Sequence, residues 1–404
     1  MNAKERFLKY VRYETTSDEN SPSCPSTPGQ TVLLKVLRDE LAAMGAVVKQ
    51  DENGYVTAVI PATKEGLNNL CFISHVDTSP AVSGKDVNPK EIVCDGNDII
   101  LGNGTVISVK ETPELLNYKG KELIVTDGKT LLGADDKAGV AEIMTAAEIL
   151  LNDKTIPHGK ILIGFTPDEE IGRGTDLFDV KGFGADFGFT VDGGELGEIE
   201  YENFNAASAI LTINGTSIHP GSAKSKMKNA IDLFTEFHSM LPENMRPVNT
   251  EGYEGFYMAD EVSGGVEKLT AKYIIRDHDM EKFGDKKTFF ASVVDFLNAK
   301  YGEGVFVADI KDSYYNMSEI IRKNYHLIEN AEKAMKECGI EPEIIPIRGG
   351  TDGARLSFEG LPCPNLSTGG LNFHGRKEFI PSHALGKMTE VILKIIEIYS
   401  EKKY

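Results

Sequence analysis

Three short runs, "NLCFIS" (69–74), "GKILIGF" (159–165) and "ADFGFTV" (185–191), are almost continuously apolar. A strand with one solvated face alternates apolar and polar residues, so runs without alternation require a sheet covered on both faces. Helical stretches supply the cover. "KERFLKYVRY" and "TVLLKVLRDELAAMG" read as amphipathic helices, the second closed by Gly45, and "KAGVAEIMTAAEILLN" lies between the first two apolar runs. This alternation predicts an α/β domain with a mostly parallel sheet.

The texture changes after about residue 205. "AASAILTING", "KLTAKYIIRDHD" and "GVFVADIKDSYYN" read as strands with alternating patterning, and "KNAIDLFTEFHSML" and "MEKFGDKKTFFASVVDFLNAKY" read as helices. From Ser318 the α/β pattern returns with "NYHLIENAEKAMKECG", "EIIPI", "PCPNLST" and "GKMTEVILKIIEIYS". A chain of 404 residues exceeds what one core holds. The expected organisation is therefore an α/β domain in two parts, 1–205 and 318–404, interrupted by a smaller α+β domain over 206–317. The Ser/Pro-rich stretch "TTSDENSPSCPSTPGQ" is expected to be a surface loop.

Five short motifs stand where strands end or helices begin: "SHVD" (74–77), "GADDKAG" (133–139), "TPDEE" (166–170), "TVDGG" (190–194) and "NFHG" (372–375). In open α/β sheets the carboxyl ends of the strands converge on one crevice. That crevice would gather His75 and His374 with Asp77, Asp135, Asp136, Glu169, Glu170 and Asp192. Carboxylates this close repel unless cations sit among them. Two zinc ions meet the demand, since imidazole and carboxylate are ordinary zinc ligands and two-metal hydrolases hold their ions about 3.5–4 Å apart. With His75, Asp135, Glu170, Asp192 and His374 as ligands, three carboxylates and one hydroxide balance two Zn²⁺. Glu169 then stands beside a ligand yet is free to move protons. Asp77, two residues from His75, is placed to orient its ring. Each motif alone has a plainer reading: a satisfied loop histidine, a solvated acidic turn, or acids at a helix N-terminus. Their shared strand-end context outweighs those readings.

Several function classes are excluded. With 43 basic and 62 acidic residues the net charge is −19, which argues against nucleic-acid and anionic-membrane partners. No apolar run nears the roughly 18 residues of a membrane helix. "MNAKERFLKYVRYE" is charged throughout and lacks a secretory core, so the expected location is the cytoplasm. The five cysteines are widely spaced and form no C-x-x-C pair, and no G-x-S-x-G elbow occurs.

The segments "FISHVDTSP", "TDGKTLLGADDKAG", "FTPDEE", "TVDGG", "ENFNAAS", "EGYEGFY", "YIIRD", "DSYYNM", "PIRGGTDGA" and "LPCPN" resemble, nearly end to end, the co-catalytic di-zinc exopeptidase family related to aminoacylase and succinyl-diaminopimelate desuccinylase. The resemblance implies a metallo-aminopeptidase that takes the N-terminal residue from tripeptides through a zinc-bridged hydroxide. It implies His75 and Asp192 on one zinc, Glu170 and His374 on the other, and Asp135 bridging, with Glu169 as general base and Asp77 orienting His75. It also implies a cis peptide between Asp135 and Asp136, and a lid or dimerisation role for the insertion, with a homodimer as its consequence. On that insertion His219 would close over the substrate and stabilise the oxyanion. Arg276 and Arg348 would hold a substrate carboxylate, to which arginine is suited by its bidentate fork, against the alternative of ordinary surface salt bridges. A deacylase or dipeptidase on the same scaffold is the nearest alternative function. A non-catalytic metal-dependent binding protein is a further one, and it would have no need of Glu169.

Overall fold

A computed structural model describes all residues, Met1–Tyr404. The chain forms two compact units, the first of Met1–Tyr201, Glu319–Ile345 and Thr351–Tyr404, the second of Glu202–Ser318 with Pro346–Gly350. Pro346–Gly350, expected in the second part of the α/β domain, thus groups with the other unit.

An eight-stranded sheet runs in the order Val47–Gln50, Val56–Ile60, Ile161–Thr166, Leu70–His75, Phe187–Gly193, Asn365–Ser367, Glu198–Asn203, Glu343–Ile347. The strands from Ile161–Thr166 to Asn365–Ser367 pair in parallel. The next pairings outward, and the Val47–Gln50 pairing beyond, are antiparallel. The sheet is therefore mixed, with the parallel pairings at its centre. Its first two strands are joined by only a short turn, and a turn that short permits antiparallel pairing alone. Leu70–His75 and Ile161–Thr166 are buried at every position, as unbroken apolar runs require.

The helix Ala134–Asn152 packs against Leu70–His75 and Phe187–Gly193. Gly139 permits the close approach, since a Cβ there would stand 2.0 Å from the Val191 carbonyl oxygen. Another apolar cluster joins Cys71, Ile73 and Leu162 to Phe178, Phe183, Leu356 and Cys363, where the cysteines act as small hydrophobes. The Ser/Pro-rich stretch is not loop to its end. Pro28 opens the helix Pro28–Met44, a position that suits a residue lacking an N–H, and Gly45 closes it at φ 97°.

The second unit is a four-stranded antiparallel sheet, Phe256–Gly264, Lys268–Asp277, Asn205–Asn214 and Phe306–Tyr314 in spatial order. Lys268–Asp277 alternates in burial, one face joining a core of Leu211, Ile213, Phe237, Phe283, Phe290 and Leu297. The helices Ala230–Met240 and Met280–Tyr301 contribute to that core. No helix of either unit is long and apolar enough to cross a membrane.

Candidate active site

The parallel register sets three chain segments side by side. His75 lies opposite Thr166, and Ile73 opposite Thr190, so "SHVD", "TPDEE" and "TVDGG" leave the sheet at one edge. The N-terminus of the helix Ala134–Asn152 brings Asp135 and Asp136 to the same place. Their peptide bond is cis. His374 arrives on the loop after Leu371, in a left-handed conformation at φ 60°.

Asp135 stands between two histidines. His75 Nε2 lies 3.0 Å from its Oδ1 and His374 Nε2 lies 2.9 Å from its Oδ2. His75 Nε2 is also 3.2 Å from Asp192 Oδ1, and His374 Nε2 is 2.9 Å from Glu170 Oε2. Two groups of side chains could therefore hold a metal ion, His75–Asp135–Asp192 and Asp135–Glu170–His374. The far nitrogen of His75, Nδ1, lies 3.2 Å from Asp77 Oδ1, the place from which a carboxylate fixes the tautomer of a ligating imidazole.

Electrostatics mark the cluster as one that demands positive charge. The Asp135 and Glu170 carboxylates push the His374 pKa up to about 11. Burial opposes charge on His75, yet Asp192, Asp135 and Asp77 overcome it and raise its pKa well above 6.5. Burial, then Asp135, pushes Glu170 up to about 8, and burial pushes Asp192 up to about 6. Glu170 Oε1 is buried with no partner in the protein. Nitrogen and oxygen donors, an excess of carboxylate and an orphaned ligand oxygen together fit divalent cations.

The "TPDEE" turn is fixed by its backbone. Asp77 is fully buried and accepts from both neighbours, Glu169 N–H at its Oδ1 (3.0 Å) and Glu170 N–H at its Oδ2 (3.1 Å). Asp168, at φ 59°, accepts from Ser26 N–H (2.8 Å) and from Gln30 Nε2 (2.7 Å), and its own N–H donates to Gln30 Oε1 (3.0 Å). The Glu169 carboxyl itself makes no hydrogen bond in the protein. Its pKa is raised by burial and then by Asp192.

Asp136 is buried behind the cluster, where it accepts from the His75 N–H (3.1 Å) and from the Ser74 hydroxyl. His219 is exposed in the second unit and its Nδ1 accepts from Gly221 N–H (3.1 Å). Neither arginine forms a surface salt bridge. Arg276 donates to the carbonyls of Ala207 (3.1 Å) and Ile275 (3.0 Å), with its guanidinium 5.4 Å from the Tyr314 ring centroid. Arg348 donates to Gly252 O (2.7 Å), Glu254 O (3.1 Å) and Thr250 Oγ1 (2.9 Å), and lies over the rings of Phe204 and Phe256.

Three acids of the site escaped the sequence reading. Asp168 was overshadowed by the pair that follows it. Asp352, in "GGTD", is buried and accepts from Thr166 Oγ1 (3.0 Å), and burial pushes its pKa up to about 7. Glu378 is buried four residues beyond His374 and accepts from the backbone at 132–135. The spacing H-x-x-x-E was its only signal.

A family model described as a Peptidase dimerisation domain matches residues 201–305. Peptidase T of Caldanaerobacter subterraneus subsp. tengcongensis is 58% identical over 403 residues, covering 98% of each chain. The crystal structure of aminopeptidase PepT from Bacillus cereus superposes with a TM-score of 0.78 at 25% identity, covering 99% of both chains. A tripeptidase from Staphylococcus aureus shares the fold with a TM-score of 0.80 at 22% identity, over 99% of this chain and 98% of its own.

Proposed function

The chain belongs to the peptidase T family of metallopeptidases, and on that premise we propose that it removes the N-terminal residue from tripeptides at a two-metal site, with Glu169 carrying the proton. The observation that carries this reading is Asp135, whose two oxygens each face a different histidine at 3.0 and 2.9 Å. His75 and Asp192 would hold one ion, Glu170 and His374 the other, and Asp135 both. Zinc suits this mixture of imidazole and carboxylate. When bound, such a pair would make water a nucleophile at neutral pH and would act as a Lewis acid toward the scissile carbonyl.

The chain's own residues supply the rest. Glu169 is held by its N–H and free at its carboxyl, which supports its taking a proton from the attacking water and delivering it to the departing amine. Asp77 keeps the His75 ring turned toward Asp135 and Asp192, and with its other oxygen it steadies the turn. From the second unit, His219, Arg276 and Arg348 remain candidates for contact with the peptide, with the arginines' bonds to carbonyls setting where their remaining donors point. The match of residues 201–305 to a Peptidase dimerisation domain supports a homodimer formed through this unit.

The test is a product analysis on di-, tri- and tetrapeptides, free or N-acetylated, with and without a chelator. Release of the first residue from free tripeptides above all others, lost on chelation and regained with divalent metal, is the expected result. Faster cleavage of N-acetylated amino acids would replace this reading with a deacylase.

A further inference from the structure

Glu378 has no part in the reaction as described, yet its surroundings are unusual. The side chain is buried, and its carboxylate is the common acceptor of consecutive backbone N–H groups. Leu132 N–H (2.6 Å) and Gly133 N–H (2.9 Å) donate to Oε2, and Ala134 N–H (2.7 Å) and Asp135 N–H (3.2 Å) donate to Oε1. The first N–H groups of a helix have no partner within it, and a carboxylate also suits the positive end of the helix dipole. Gly133, at φ 82°, makes the turn that lets these donors converge.

The other end of Glu378 is anchored as firmly. It precedes the strand Phe379–Pro381, which pairs with Glu122–Val125. Reciprocal bonds between Leu371 and Phe379 (2.9 and 3.1 Å) close the loop that carries His374. One carboxylate therefore joins the backbone of Asp135, which both groups share, to the loop of His374, which belongs to the second group alone. His75 and Asp192, by contrast, reach the site from strands that Glu378 does not touch.

We propose that Glu378 is a positioning residue that sets how Asp135 faces His374, and thereby sets the affinity of the second metal position. The proposal rests on the two-metal reading above. Residues that orient metal ligands from behind are typically worth about 10–100-fold in metal affinity.

The experiment compares cobalt-binding isotherms, read by the visible absorption of bound Co²⁺, for the metal-free wild type and Glu378→Gln, with thermal unfolding of both metal-free proteins alongside. Glutamine keeps the size of glutamate but replaces one accepting oxygen with an amide group that donates. The variant should bind its first Co²⁺ as the wild type does and its second about 10–100-fold more weakly. Its kcat should fall at low metal and recover with excess, with KM unchanged. A variant that binds both ions with wild-type affinity, whatever its melting temperature, overturns the proposal. Should Glu378→Gln fail to fold, Glu378→Asp keeps the charge while shortening the reach, and unchanged second-ion affinity there overturns it equally. Wild type binding a single ion would remove the two-metal reading and this inference with it. Wild type binding two while the variant loses nothing would remove this inference alone.

Discussion

The two candidate ligand groups share Asp135 and each add one histidine and one carboxylate, but the fold holds them differently. His75 and Asp192 lie at the ends of adjoining strand segments, with side chains 2% and 11% exposed. Glu170 and His374 come from a one-turn helix and a loop, and the His374 side chain is 49% exposed. The sheet itself aligns the first group, because parallel register leaves little freedom at the strand ends. The second group has no such frame. It is assembled by ties between side chains and backbone: Asp77 to the turn, Asp168 to the Ser26 N–H, Gln30 to the Asp168 N–H, Glu378 to the start of a helix. Left-handed residues gather there too, Asp168, Asn372 and His374, at a cost of order 1–3 kcal/mol each. A strand can present a ligand cheaply, whereas a turn must be held in place by its neighbours.

The largest effect expected is at Glu169. Glu169→Gln keeps shape but cannot take a proton, so turnover should fall by about 10²–10⁴-fold with both metal positions intact. Glu170→Gln should instead weaken the second ion, and excess metal should return part of its activity. Equal metal loss in the two variants would erase the distinction between the neighbours.

Next come the histidines. In metal-binding isotherms His374→Ala should lose the second ion and keep the first, while His75→Ala should lose the strand-built position. Identical isotherms for both would show that the two groups act as one.

A smaller effect is expected behind the turn. Asp168→Ala removes a buried acceptor and leaves alanine in a left-handed conformation, so unfolding should be easier by about 1–3 kcal/mol or more. Chemical denaturation with and without metal checks it. The loss should be accompanied by weaker binding of the second ion only.

The smallest effect on activity is at Glu142, whose oxygens are both buried without partners and whose pKa burial, then Asp136, raises well above 4.5. The folded state keeps this proton and the unfolded state releases it above pH 4.5, so the residue costs stability as pH rises past that value. Glu142→Gln should leave metal binding unchanged and gain in stability on the wild type between pH 5 and pH 8. A stability difference that is flat with pH would contradict this assignment.

The legible parts of the chain were those whose residue types carry the information. The apolar runs named the buried strands. The helix "MEKFGDKKTFFASVVDFLNAKY" appears as Met280–Tyr301, opened by an Asp279 cap. The acids and histidines at strand ends are the ones that converge. What stayed hidden depends on partners that no side chain advertises. Glu378 and Asp77 bind backbone N–H groups, which every residue but proline owns, so nothing in the sequence distinguishes their partners. Arg276 and Arg348 read as carboxylate binders because arginine is, and the carbonyls and the Thr250 hydroxyl that take some of their donors could not be read beside it. The division between the units falls inside the strand Glu343–Ile347, with Pro346–Gly350 grouping with the second unit, a division that periodicity does not record.

Asp77 offers its two oxygens to consecutive N–H groups, one to Glu169 and the next to Glu170. That arrangement counts residues. Inserting a single residue between Thr166 and Glu169 would slide the chain by one notch along the carboxylate and carry Glu169 to the place of Glu170, and a deletion would carry Glu170 to the place of Glu169. A point change touches one side chain of this turn, but a change of length displaces both glutamates at once. Gene variants and engineered loops should therefore keep the number of residues across this stretch as strictly as they keep Asp168 and Glu169.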